Sequence, residues 1–440
     1  MNNFLKEIRE RVLVYDGSKG TMLQKLGLKG GECPEEWNIT HRSEVRQIYK
    51  MYKDAGADVI QTNTFQGNRI KLEEYSLGEK TYEINYEGTR LAREVMGRDG
   101  FVAASIGPIG KLFEPSGDLT FEVAYNTFKE QIKAVVEGGA DVINFETFTD
   151  LAEMRAALIA AKEETNLPVI CSFSFLDSGR TLMGTDPVTA AIVLNSLGAD
   201  MIGANCSLGP EHMLDIVKKM SEAVGIYLCV KPNAGLPEME DGNVTYKETP
   251  DKFYLLAKEF AAYGARLIGG CCGTTPDFVK AIKESVRDIK VTKLTRSSKQ
   301  VITSNVKTLQ IDGAKKLNVG RIDSRNDEEL YNALLSGQIE YCIDKALDLA
   351  SEGYDAIYIN IDNVKGSNDL LSQVVNISQG YVKEPFILET SDFEALDKAL
   401  RLYRGKAGVI VDGNSETVLE KLLLSCSKYG STIICRELLS

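Results

Sequence analysis

A chain of 440 residues is longer than one hydrophobic core usually needs, and an α/β barrel alone takes about 250, so one large and one small domain are expected. Its 51 Lys and Arg against 63 Asp and Glu leave a net charge of −12 with no long basic block, which argues against nucleic acid and anionic membranes as partners. The charged opening, residues 1–11, has no signal-peptide core, and no run approaches about 18 apolar residues, so a cytoplasmic protein with reduced thiols is expected.

In chain order, β-branched apolar stretches at 12–18, 58–65, 101–108, 141–148, 168–175, 200–207, 226–233 and 266–273 read as buried parallel strands, with amphipathic segments such as 151–165 between them. Eight such units make a (β/α)₈ TIM barrel. An internal repeat supports the count. Gly56-Ala57-Asp58, Gly139-Ala140-Asp141, Gly198-Ala199-Asp200 and Gly264-Ala265-Arg266 each lead into an even-numbered strand, as a tight helix-to-strand turn requires. The repeats mark the strand starts, so the residues at the other ends lie on the face where such barrels carry their sites.

The polar stretch near 285–309 reads as a linker, giving domains at 1–290 and 311–440 with 291–310 between them. Strands expected at 317–319, 356–361, 386–389, 408–411 and 432–435 give the C-terminal α/β part only about half the units of a full barrel.

Chemistry concentrates in Gly269-Gly270-Cys271-Cys272-Gly273-Thr274-Thr275, at the end of the eighth strand. Neighbouring side chains on a regular strand point to opposite faces, so two thiols on one metal require the backbone to leave strand geometry, and Gly269, Gly270 and Gly273 are expected to allow it. Cys206, in Gly203-Ala204-Asn205-Cys206-Ser207, ends the sixth strand on the same barrel mouth. Three thiolates without an evident fourth ligand describe an open, catalytic zinc site. A thiol entering the fourth position would lose its proton and remain nucleophilic, so thiol alkylation is the chemistry implied. Cys171, Cys229, Cys342, Cys426 and Cys435 are expected as buried apolar thiols, and Cys33, in an early loop, has no role. His41 and His212, the only two histidines, fall at no strand end and are expected on the solvated surface.

Asp16-Gly17, Thr62-Asn63-Thr64-Phe65, Asn144-Phe145-Glu146-Thr147 and Lys231-Pro232-Asn233-Ala234-Gly235 put further polar groups on that mouth. Carboxylates suit an amino group and glycine-rich backbone suits a carboxylate, so an amino-acid substrate fits, with Asp16 and Glu146 as amine-binding candidates.

Together with Ser105-Ile106-Gly107-Pro108 and Gly203-Ala204-Asn205-Cys206, these segments resemble the homocysteine S-methyltransferase family, in particular the homocysteine-binding module of cobalamin-dependent methionine synthases. The resemblance implies zinc held by Cys206, Cys271 and Cys272, homocysteine held by Asp16, Gly17 and Glu146, and Asn233 shaping the pocket. The C-terminal part, including 346–360, resembles the opening half of the pterin-binding folate barrel that follows this module. That barrel begins Gly-Glu-Arg-x-Asn, whereas this chain reads Gly320-Arg321-Ile322-Asp323-Ser324-Arg325-Asn326. Glu389-Thr390 and Val411-Asp412 stand where later strands carry Asp and Asn, so folate binding is not expected.

The expected function is methyl transfer to zinc-activated homocysteine, forming methionine. The expected donor is methylcobalamin on a separate corrinoid protein, because the chain has no Asp-x-His-x-x-Gly segment of its own. A betaine or S-methylmethionine type donor is the second reading. A non-catalytic docking or assembly protein with structural zinc is the third, and oligomerisation is left open.

Overall fold

The computed structural model describes residues 3–440 apart from 241–242, 292–293, 295–298, 314, 365–368 and 412–415, so Asp412 lies outside the described residues. The chain divides into two compact units: 1–113 with 117–183 and 199–296, and 114–116 with 184–198 and 297–440.

In the first unit, eight parallel strands form one sheet: β1 (Leu13–Val14), β2 (Val59–Gln61), β3 (Phe101–Ile106), β4 (Val142–Phe148), β5 (Val169–Phe173), β6 (Met201–Asn205), β7 (Leu228–Lys231) and, after a small hairpin of β8 (Glu238–Glu240) and β9 (Asn243–Thr245), β10 (Ala265–Ile268). They run in the order β1-β10-β7-β6-β5-β4-β3-β2, and a parallel bridge between Tyr15 and Val59 closes the ring. The expected TIM barrel is therefore present. Its strands are shorter than the apolar stretches suggested, because the polar residues at their C-terminal ends belong to the loops.

The Gly-Ala-Asp repeats do two jobs. Gly56, Gly139, Gly198 and Gly264 have φ of 101°, 98°, 89° and 90°, the left-handed turn that ends a helix before a strand. The aspartates then cap the start of the adjacent strand: Asp58, Asp141 and Asp200 accept the backbone N–H of Val14, Val102 and Val169 at 2.9, 2.8 and 2.9 Å. Arg266 in the fourth repeat is buried instead, donating to the carbonyls of Ala261 and Ala265 at 3.3 and 3.1 Å. The barrel floor is closed by the N-terminal helix Asn3–Glu10. Its Phe4 and Ile8, one turn apart, bury themselves among Leu13, Val59, Ala103 and Val142.

The second unit contains five parallel strands in sequential order, β13 (Val319–Asp323), β14 (Ala356–Asn360), β15 (Phe386–Glu389), β16 (Gly408–Ile410) and β17 (Thr432–Ile433), alternating with helices. The stretch expected as a linker carries secondary structure instead. β11 (Gln300–Thr303) and β12 (Thr308–Ile311) pair antiparallel, and Ile302 and Ile311 pack into the core of Val319, Ala356, Tyr358 and Ile387. The first strand of this sheet also lies later than 317–319. Arg321 and Asp323 interrupt its apolar pattern, and the Arg321 guanidinium stands 5.1 Å from the Tyr358 ring centroid. The turn Gly353-Tyr354-Asp355 repeats the barrel device, with Gly353 at φ 80° and Asp355 accepting the Asn318 N–H at 3.2 Å. Among the described residues no helix is long and apolar enough to cross a membrane.

Candidate active site

β6 and β10 end just before the thiols, and the chain bends sharply at each. Cys206 and Ser207 follow Asn205 with φ of 61° and 57°, and Thr147, at a bulge in β4, has φ of 62°. Three of the four non-glycine residues in this strained region among the described residues therefore line one barrel mouth, where surrounding structure holds them. Asn205 does much of that holding: its Oδ1 accepts the Thr147 N–H and its Nδ2 donates to Thr147 Oγ1, both at 2.8 Å.

The glycines around Cys271 and Cys272 act differently from expectation. Only Gly273, at φ 80°, supplies a left-handed conformation. Gly269 and Gly270 supply room, since a Cβ on Gly269 would lie 2.6 Å from Tyr15 Cβ and one on Gly270 would lie 2.6 Å from Thr274 Cβ. Gly17 is of the same kind, with Thr274 Oγ1 at 2.9 Å and the Tyr52 ring at 3.0 Å from the Cβ it lacks.

Between the two thiol loops runs Lys231-Pro232-Asn233-Ala234, hydrogen-bonded to both. The Cys206 N–H donates to the Lys231 carbonyl at 3.1 Å, and the Asn233 N–H to the Leu208 carbonyl at 2.9 Å. On the other side the Cys271 N–H donates to the Pro232 carbonyl at 2.8 Å, the Cys272 N–H to Asn233 Oδ1 at 3.1 Å, and the Ala234 N–H to the Cys272 carbonyl at 2.9 Å. Asn233, expected to shape the substrate pocket, here braces a thiol loop.

The three sulfurs lie within 4.8 Å of one another, Cys206 Sγ and Cys272 Sγ being 3.8 Å apart. A tetrahedral zinc with bonds of roughly 2.3 Å would space its sulfurs by about 3.8 Å, so the donor set fits that ion. Without a cation the cluster resists ionisation. The Cys206 thiol is lowered by its contact with Cys271 but raised by Cys272 and by burial, with a net rise to about 11. Cys272 is lowered by Cys206 but raised by Cys271 and burial to about 12, and Cys271 is raised further still. A bound cation would reverse that penalty.

Below the thiols lies a buried polar chain. Glu146 accepts from Ser105 Oγ through Oε1 and from Lys231 Nζ through Oε2. Lys231 Nζ also donates to Gln61 Oε1 at 3.1 Å and stands 4.5 Å from the Tyr15 ring centroid. The Gln61 N–H donates to Asp16 Oδ2 at 3.0 Å, and Lys19 Nζ donates to the same oxygen. Burial raises the Asp16 carboxyl to about 6 despite Lys19. Burial disfavours the charge on Lys231, yet Glu146 together with Cys229 and Cys271 outweighs it and the ammonium is held more firmly than usual. Asp16 and Glu146, the expected amine-binding pair, are thus brought into one network, each already facing a lysine.

Lys19, Gln61 and Lys231 were not singled out from the sequence. The signal was present for Lys231, which continues the inward alternation of Cys229 at the end of an apolar strand. His41 and His212 are exposed as expected, as is the burial of Cys171, Cys229, Cys342 and Cys426. Cys435 departs from expectation. It lies beyond the short edge strand β17 and is exposed.

The fold and the site define a (β/α)₈ barrel with three convergent thiols and two buried carboxylates on its C-terminal face. The chain belongs to the homocysteine S-methyltransferase family, whose model, described as Homocysteine S-methyltransferase, matches residues 13–286. It is 28% identical to the methionine synthase of Mycobacterium tuberculosis over 464 aligned positions, covering 98% of this chain and 38% of that protein. The methionine synthase of Mycobacterium leprae is likewise 28% identical, again with 38% of its length covered, so the chain spans under two fifths of these relatives. Among solved structures, the metallated form of the homocysteine methyltransferase MmuM from Escherichia coli superposes with a TM-score of 0.54 at 22% identity, covering 63% of this chain and 96% of that one. That likeness speaks to the fold.

Proposed function

We propose that the chain is a zinc-dependent homocysteine S-methyltransferase forming methionine, with Cys206, Cys271 and Cys272 as metal ligands and a methyl-corrinoid on a separate protein as donor. The observation that carries the reading is the convergence of three thiols within 4.8 Å at the mouth of a barrel of this family. Zinc held there would supply a lowered pKa for the substrate thiol. The chain's own residues do the rest. Asn205 and Asn233 hold the thiol loops, and Asp16 and Glu146 offer carboxylates to the substrate ammonium. In the transfer, the sulfur lone pair forms the S–C bond as the donor–carbon bond breaks, and the electron pair of that bond leaves with the donor. The thiol proton passes to solvent beforehand.

A protein-borne donor is supported by the rim of the mouth. Leu112, Leu176, Leu182, Met183 and Leu236, on loops that follow β3, β5 and β7, and Met239, on β8 of the hairpin after β7, are exposed on the connections of the face that carries the thiols. Exposed apolar side chains gathered around a site suit a docking partner. The relatives named methionine synthase support methionine as the product. We assign residues 1–290 to the acceptor chemistry and 311–440 to partner docking without folate, in a cytoplasmic protein. The second reading, a small donor of the betaine or S-methylmethionine type, would seat that donor in a cleft beside the Cys206 loop lined by Gly209, Glu211, His212, Glu238, Lys247 and Glu248, whose carboxylates are already paired with Lys247 and Lys252.

Assays of the zinc-loaded protein with homocysteine and each donor separate these readings. Methionine formed only from the methyl-corrinoid protein is the expected result, and methionine from none would overturn both. X-ray absorption at the zinc edge should show a sulfur replacing a lighter ligand when homocysteine is added. An unchanged shell would favour a structural, non-catalytic metal.

A further inference from the structure

We propose that Lys19 is a specificity-determining residue that binds the α-carboxylate of the acceptor, turning to it from Asp16 as the substrate ammonium arrives. This rests on the reading that the acceptor is a thiol amino acid.

Lys19 opens the helix Lys19–Lys25, whose N-cap is Ser18, so its positive charge sits at the helix end that disfavours cations. Its side chain nevertheless turns inward. The residue is 7% exposed, with Nζ 4.7 Å from the Tyr52 ring centroid, 5.6 Å from that of Tyr49, and on Asp16 Oδ2. Ordering and desolvating a lysine there costs free energy that a purely structural ion pair seldom repays.

The loop from Asp16 to Thr21 is tied to the thiol loop. The Gly270 N–H donates to the Asp16 carbonyl at 3.1 Å, and the Gly273 N–H to Thr21 Oγ1 at 3.2 Å. Lys19 therefore belongs to the mouth that carries the thiols.

Asp16 is fully buried, and its two oxygens are unequal. Oδ2 accepts from both Lys19 and the Gln61 N–H, while Oδ1 has no hydrogen-bond donor among the described residues. A buried carboxylate oxygen left without a donor is costly, and it marks a place where a ligand donor fits. Glu146 is a poorer acceptor, since Ser105 and Lys231 already engage one oxygen each.

An ammonium at Asp16 Oδ1 leaves the substrate carboxylate in need of a cation. Lys231 is committed to Glu146 and Gln61, whereas among the described residues Lys19 donates a hydrogen bond only to Asp16, the group that the incoming ammonium satisfies. Charge balance agrees. Asp16 and Glu146 against Lys19 and Lys231 sum to zero, and a zwitterion preserves that sum. A thiol amine lacking the carboxylate offers Lys19 no anion in exchange for Asp16.

The test uses the full chain loaded with cobalt(II) at the thiol site, where binding of a substrate thiol is read from the sulfur-to-metal absorption. The ligands are L-homocysteine and 3-aminopropane-1-thiol, which is homocysteine without its carboxylate. Wild type should bind homocysteine at least about 10-fold more tightly than the amine, a comparison that needs no variant. Lys19→Met should weaken homocysteine by about 10- to 100-fold and change the amine by less than about twofold. Equal affinities in wild type would overturn the assignment, as would equal weakening of both ligands in the variant, which would make Lys19 a prop for Asp16. A wild-type spectrum unmoved by homocysteine would instead overturn the parent reading of the acceptor.

Discussion

Asn233 accepts the backbone N–H of Cys272 through its Oδ1 at 3.1 Å, while its own N–H donates to the carbonyl of Leu208, beyond Cys206, at 2.9 Å. One residue thus sets the separation of two thiol loops that are far apart in sequence.

Asn233→Ala removes the acceptor and frees the Cys272 loop, so zinc affinity should fall by about 10- to 100-fold, as when other outer partners of metal ligands are lost. Asn233→Asp keeps the oxygen and should retain most of the affinity. Competition with a chromophoric chelator measures both, and an Ala variant that holds zinc as tightly as wild type would show that the loops need no brace.

Cys271→Ala should abolish zinc retention while leaving the barrel intact. The thiol is half-buried at the mouth, and the core lies among Phe4, Leu13, Val59 and their neighbours at the other end. Metal content by atomic emission should drop to near zero with an unchanged far-ultraviolet circular dichroism spectrum. Full metal content in the variant would count against a three-thiol site.

Lys231 and Glu146 are both almost fully buried, and removing one leaves the other as an uncompensated charge. Lys231→Met should therefore cost about 3–5 kcal/mol of stability in chemical denaturation. Adding Glu146→Gln, which removes the orphaned charge, should recover most of that loss. If the double variant is as unstable as the sum of the singles, the two groups are not coupled.

How much of this could be read in advance depended on the kind of signal. The Gly-Ala repeat, followed by Asp in three cases and Arg in the fourth, marked the direction of every even-numbered barrel strand, and from direction followed the common face of Cys206, Cys271 and Cys272. Lys19 was not legible because a Lys in a loop is usually solvated, and for Lys231 the alternation from Cys229 gave the inward direction but not its partner. Only the closed ring shows that Lys231 meets Glu146, and only the turn after Asp16 shows Lys19 folding back on it. The hairpin of β11 and β12 was hidden for another reason. Its strands are four residues each, and a period-two pattern that short, set among Lys, Ser and Thr, is indistinguishable from a polar connection. The roles of the glycines were misjudged because sequence cannot separate a residue chosen for its φ, as Gly273 is, from one chosen because a neighbour leaves no room, as Gly269 is.

Glu153 provides a pH test outside the thiol site. It lies buried on the helix Leu151–Glu164, where its Oε1 accepts the Ile109 N–H at 2.5 Å, and burial raises its carboxyl to about 8 despite that bond. In the unfolded chain the group titrates near 4.5. Between these values the folded protein holds a proton that the unfolded chain has released, so stability falls as pH rises through this window and stays low above it. Glu153→Gln keeps an acceptor for Ile109 and removes the titration. Its Tm should match wild type near pH 4 and exceed it by at least about 3 °C at pH 9, a gain of roughly 1 kcal/mol or more. The same Tm difference at both pH values would mean that Glu153 ionises as freely in the folded protein as in the unfolded chain.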